Sequence, residues 1–302
     1  MEILDTHRTS VGGPKNQMMF DDIKPAAYVL FGIGLILLGW LFLPTFKWWY
    51  GMWMREESYY SHGILIPIIS GFIIWLKKKR LKEIPVESSA IGYLLLIPAV
   101  VVTIVSVWAS AASIGGLMFP LVLIGISLVL FGRTITKELG FPLGYLYFMC
   151  VLPTFVLAAV SFRIQILSTV GGTMLLRLIG LDVYREGAMI ITPNIEVLVG
   201  APCSGFRLLI SLFAFSSLLA YLMEGPLWGR ASLVALTLPL SLILNSIRIS
   251  LIAIVGEYMG RDAMMAFHDY SGYIVIVLAL VILWLVARLV KCQKFNSTLL
   301  SS

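Results

Sequence analysis

The charged residues of this chain avoid long blocks of sequence, and that avoidance decides what the chain can become. A helix needs about 20 apolar residues to cross about 30 Å of hydrocarbon. Blocks of about that length lie at residues 26–46, 63–76, 91–111, 114–132, 142–160, 203–222, 231–255 and 271–290. The second is short, and Ser61-His62-Gly63 belongs to its outer end. Charged residues make up 13% of the chain, against about 25% in an ordinary soluble domain. No polar stretch is long enough to hold a separate soluble domain. The expected fold is an all-α integral membrane protein, a bundle of about eight transmembrane helices, with a small extracytoplasmic helix and hairpin before the sixth. Residues 1–25 then form a cytoplasmic segment without a cleavage signal, 26–290 the transmembrane domain, and 291–302 a cytoplasmic tail.

The net charge of +6 could point to nucleic acid. The positions of the cations exclude that reading, because they cluster beside the ends of the apolar blocks, where they set orientation. With the N-terminus inside, the inner segments and Arg288 hold 14 Lys and Arg. The outer segments hold six: Lys47, Arg55, Arg163, Arg177, Arg185 and Arg261. The run Lys77-Lys78-Lys79-Arg80 is the strongest inside marker. Both termini are therefore expected in the cytoplasm. The three cysteines, Cys150, Cys203 and Cys292, are odd in number and irregular in spacing, which argues against a disulfide framework.

The longest expected outer segment is 161–202. Phe162 to Ile179 has the mixed pattern of a helix lying at the interface. Beyond it, two apolar runs flank Thr192-Pro193-Asn194, the pattern of a small hairpin. That hairpin leads into Gly200-Ala201-Pro202-Cys203 and reads as a lid or docking edge beside the cysteine.

Ionisable groups within or beside spans are costly there and usually functional. Pro202 suits the first turn of a helix, which would put Cys203 at the outer N-terminus of the sixth span. Free N–H groups and the positive end of the dipole favour a thiolate there. Arg207 follows four residues on and would stack on the same face. In the seventh span Thr237, Ser241, Asn245 and Arg248 form one stripe. Arg248 lies about 10 Å below the outer surface by helical rise. His268 falls in the outer loop before the last span. Charge-based topology thus puts a thiol, an imidazole and a guanidinium on one side of the membrane, the parts needed for acyl transfer through a thioester. His62 lies on the same side and competes with His268. Cys150 reads as a packed small residue.

Three segments together resemble the exosortase/archaeosortase family of membrane transpeptidases. They are Ala201-Pro202-Cys203-Ser204-Gly205-Phe206-Arg207, Asn245-Ser246-Ile247-Arg248-Ile249, and His268 before the last span. Tyr60-Ser61-His62-Gly63-Ile64-Leu65-Ile66-Pro67 also looks like a family element. The resemblance covers roughly residues 25–290. It implies catalytic Cys203, Arg248 and His268, supported by Arg207, Ser204, Asn245 and His62, with no metal and no organic cofactor. It implies substrates in the lipid bilayer that end in a short Pro-Glu-Pro-like motif, an apolar helix and a basic tail. It also implies a bacterial inner membrane, a site facing outward, and a link to exopolysaccharide loci. Two other classes stay open on the residues alone: a transporter or channel lined by Arg207, Arg248 and Asn245, and a non-catalytic subunit of a polysaccharide assembly.

Overall fold

The computed structural model describes residues 25–55, 58–200, 203–292 and 294–295, with side chains from residue 32 onward except at residue 295. The expected N-terminal segment up to residue 24, the Ala201-Pro202 pair and residues 296–302 of the expected tail lie outside the described residues.

Helix α1 (Pro25–Trp53) is followed by a 3-10 turn (Ser61–Ile64) and α2 (Leu65–Leu76). A short α3 (Lys78–Glu83) carries the basic run. Helices α4 (Ile91–Trp108) and α5 (Ala112–Glu138) form a tight hairpin, closed through Ser110 at φ 54° and the bond from Ala111 N–H to the Ser106 carbonyl. Next come α6 (Gly140–Tyr145) and α7 (Thr154–Leu178), then strands β1 (Tyr184–Glu186), β2 (Met189–Ile191) and β3 (Glu196–Leu198). They form one antiparallel sheet in the order β1-β2-β3. Helices α8 (Phe206–Leu222), α9 (Leu227–Ala235) and α10 (Thr237–Leu289) complete the chain. Strands β4 (Met223–Glu224) and β5 (Lys294–Phe295) pair across its end.

Among the described residues five helical stretches are long and apolar enough to cross a membrane, and Ser61–Leu76 and Phe206–Leu222 are shorter apolar helices. The protein is multi-pass, but its spans divide differently from the eight expected. The seventh and eighth lie in α10, which breaks at Gly260 (φ 84°, ψ 176°). That conformation is open to glycine and strained for other residues. The chain turns there without a separate loop.

The expected fifth span, 142–160, is not one helix. Its chain runs through α6, a 3-10 turn at Leu146–Met149 and extended backbone to Pro153. The helix tightens to 3-10 geometry after Tyr145, Cys150 turns extended, and Pro153 disfavours helical backbone in the residue before it. Irregular backbone at membrane depth is tolerated where protein covers and satisfies it, and here it is so covered. Ser70 Oγ donates to the Pro142 carbonyl (2.8 Å), Trp53 Nε1 to the Met149 carbonyl (3.2 Å), and the Leu152 N–H to Tyr60 Oη (3.3 Å). The block is apolar because it packs into the largest core cluster, with Tyr145, Leu146, Met149, Cys150 and Val151 all buried. The expected interface helix is correspondingly the second part of α7, one continuous helix that begins at Thr154.

These same contacts align the ends of the elements. Tyr59 and Tyr60 mark one end of α2, where Tyr59 Oη meets Ser161 Oγ (3.1 Å). At the other end the buried Lys77 donates to Glu138, at 2.6 Å to its carbonyl and 3.2 Å to its carboxylate, and Arg80 meets the same carboxylate at 2.7 Å. Lys77 also sits over the Tyr221 ring at the end of α8. The sheet and the start of α8 lie toward the Tyr59 end.

Candidate active site

Cys203 ends a short turn, with its N–H on the Gly200 carbonyl (3.0 Å), and α8 starts only at Phe206. The expectation that Cys203 occupies the first turn of that helix is therefore corrected. Gly205 intervenes at φ 82°, a left-handed conformation that ends the turn and redirects the chain into α8. A side chain at Gly205 would also strike Asn245, whose Nδ2 lies 2.8 Å from the ideal Cβ position. With Cys203 outside the helix, the four-residue spacing to Arg207 no longer stacks the two on one face. Arg207 instead stands in the first turn of α8, close enough to Arg248 for the two cations to repel.

The turn that presents the thiol is fixed from two sides. Asn245 Nδ2 donates to the Cys203 carbonyl (3.0 Å). Ser204 is fully buried, and its Oγ accepts from Phe206 N–H (3.2 Å) and from Ser161 Oγ (3.2 Å). Through Ser161 the turn is tied to Tyr59. Of the expected polar stripe, Asn245 and Arg248 reach the site. Thr237 bonds back to the Val234 carbonyl at the end of α9, and Ser241 to the Leu238 carbonyl of its own helix.

Cys203 Sγ is hydrogen-bonded to His268 Nε2. His268 Nδ1 meets Asp269 Oδ1 at 3.2 Å. A proton on Nδ1, donated to that carboxylate, leaves Nε2 as the acceptor for the thiol. Arg248 joins the two halves of α10. Its Nε donates to Ser271 Oγ (2.9 Å) and its Nη2 to the His268 carbonyl (3.1 Å). Ser271 Oγ donates to that same carbonyl (3.1 Å). The guanidinium also lies within interacting range of the Cys203 sulfur. A guanidinium has five N–H donors in a rigid fork, so Arg248 keeps others for a bound oxygen.

His62 is placed elsewhere. Its Nδ1 pairs with Ser211 Oγ at 3.2 Å, and its ring stacks on Tyr60. Ser211 lies more than one turn into α8, so His62 braces the start of α2 against α8 and does not reach Cys203. Cys150 and Cys292 are free and buried in other clusters, Cys150 with its thiol on the Gly116 carbonyl (3.3 Å).

Cys203 and His268 open onto a cavity of about 850 Å³ between the hairpin and α10. The hairpin is pinned over it: Gln165 Nε2 donates to the Val199 carbonyl, and Asn194 donates to both Glu257 oxygens, from N–H at 3.1 Å and Nδ2 at 2.6 Å. Asp269, Ser271, Ser161 and Gln165 were not singled out from sequence. Adjacency to His268 could have flagged Asp269. The others meet the site only through the fold, so nothing local marks them.

No curated protein and no solved structure matches this chain. Residues 48–285 match the family model described as transmembrane exosortase. The matched stretch includes the serine-histidine-glycine turn at residues 61–63, Cys203, Arg248 and His268, and its general role is that of a membrane transpeptidase. By this match, over most of its length, the chain belongs to the transmembrane exosortase family.

Proposed function

We propose that this protein is a cysteine transpeptidase of the bacterial inner membrane, with its site facing the periplasm. It cleaves a C-terminal sorting signal from exported proteins and passes them to an acceptor. The observation that carries this reading is the hydrogen bond from Cys203 to His268, with Arg248 beside the sulfur. His268 Nε2 takes the thiol proton, and Sγ attacks the scissile carbonyl carbon. Arg248 N–H groups receive the oxyanion charge that develops on the carbonyl oxygen. The C–N bond breaks, and the proton on Nε2 goes to the leaving amine. The thioester that remains on Cys203 is opened by an acceptor amine, hydroxyl or water. His268 accepts the acceptor's proton and returns it to the thiolate. Asp269 keeps the ring in the needed tautomer throughout.

The outward orientation rests on the position of the site at the end opposite Lys77 and Arg80. The substrate's basic tail would then lie with the inner cations and its motif with Cys203. The test is co-expression with a reporter that ends in a Pro-Glu-Pro segment, an apolar helix and a basic tail. The intact protein shortens the reporter, and the Cys203→Ala variant leaves it whole. Shortening that persists in Cys203→Ala would remove the nucleophile and the reading with it. A thioester trapped on Cys203 and read by mass spectrometry would give the cleavage site.

A further inference from the structure

The sheet has two edges, and only one of them lines the cavity. In the β2–β3 pair the Thr192 N–H bonds the Ile195 carbonyl and the Val199 N–H bonds the Ala188 carbonyl, with Ile190 opposite Val197 between them. In an antiparallel ladder the residues between such pairs turn their backbone groups the other way. Glu196 and Leu198 therefore direct their N–H and C=O groups away from β2, along an edge on which no further strand pairs among the described residues. All three residues of β3 line the same cavity as Cys203 and His268.

We infer that β3 is the docking edge for the substrate, and that the extended segment carrying the scissile bond adds to it as a fourth strand. This rests on the transpeptidase reading above. Alternating donors and acceptors at strand spacing are matched by another extended backbone, and the neighbouring thiol acts on a peptide carbonyl. The edge is held rigid for this purpose. Asn194 fastens the hairpin tip to Glu257, and Gln165 fastens the other end at Val199. Ile195 packs so close to Gly256 that a Cβ there would strike Ile195 Cδ1. The exposed Leu198 and Glu196 side chains stand on one face of β3, while Val197 lies buried on the other. Main-chain pairing thus sets the register of the bound segment relative to Cys203. The cavity wall from α10 meets its side chains.

The edge can be altered without touching the ladder. Leu198→Pro removes an outward N–H, at a position where an edge strand accommodates proline. Arg185→Pro makes the same change on β1, because Arg185 faces away from β2 in the β1–β2 register and does not line the cavity. Processing of the reporter described above is expected to fall at least about tenfold in Leu198→Pro and to hold in Arg185→Pro. Alkylation by iodoacetamide should stay confined to Cys203 in both, with the buried Cys150 and Cys292 spared, which certifies the fold. As a second measurement, hydrogen exchange of residues 194–199 in Cys203→Ala should slow when the reporter is bound. Wild-type processing by Leu198→Pro, or unprotected amides at 194–199 with reporter bound, overturns the docking edge alone. Processing by Cys203→Ala overturns the transpeptidase reading itself.

Discussion

His268 can take a proton from Cys203 at Nε2 only while Nδ1 carries its own, and the Asp269 contact at 3.2 Å favours that form. Asp269 is exposed, so solvent weakens the pair. Asp269→Asn should slow reporter processing by roughly fivefold, whereas His268→Ala should slow it by about 10²-fold or more. Single-turnover rates on the two variants check the ordering. Arg248 makes two directed bonds to the far half of its own helix, so charge alone does not replace it. Arg248→Lys is expected to lose about 10²-fold, close to Arg248→Ala, while both proteins still reach the membrane. Cys203, Arg248 and His268 were legible in the sequence because a polar group in or beside an apolar block needs a reason. Asp269 was not, since the sequence puts it in an outer segment between spans, where a carboxylate carries no such cost. His62 stood as a competitor of His268 in the sequence, and packing gives it Ser211 as its partner instead.

At the scale of elements, the site depends on breaks in regular structure. Gly205 separates Cys203 from α8, and Gly260 lets α10 fold back so that His268 faces the thiol. Gly205→Ala meets both a left-handed backbone and Asn245 at 2.8 Å. It should lower thermal stability by about 1–3 kcal/mol and misplace the thiol. Asn245→Ala leaves the Cys203 carbonyl without its bond, for about 1–3 kcal/mol. Melting in detergent, followed beside the rate of Cys203 alkylation, measures both effects. At the far end, Glu138→Ala strips the buried Lys77 of its carboxylate and should cost about 2 kcal/mol in the same assay. Helices such as α4 and α5 could be read from hydropathy alone. The region 140–153 could not, because an apolar run signals burial and buried irregular backbone is as apolar as a helix.

For the whole molecule, the arrangement sets two ends apart. Cations gather around Lys77 and Glu138, and the sheet, the thiol and the cavity sit at the other end. A membrane-impermeant thiol reagent added from the periplasm should label Cys203 and spare Cys150 and Cys292, which are 2% and 0% exposed and line no part of the cavity. Labelling that requires access from the cytoplasm would reverse the proposed orientation. The sequence by itself determined that this chain belongs in a bilayer and which ionisable residues lie at span ends, because the transfer cost of charge into hydrocarbon is a property of each residue. Only the tertiary structure decided where helices break, which histidine meets the cysteine, and which strand edge opens on the site. Those outcomes depend on hydrogen bonds between residues far apart in sequence, such as Asn245 with Cys203 and Gln165 with Val199, and no local pattern encodes such a pairing.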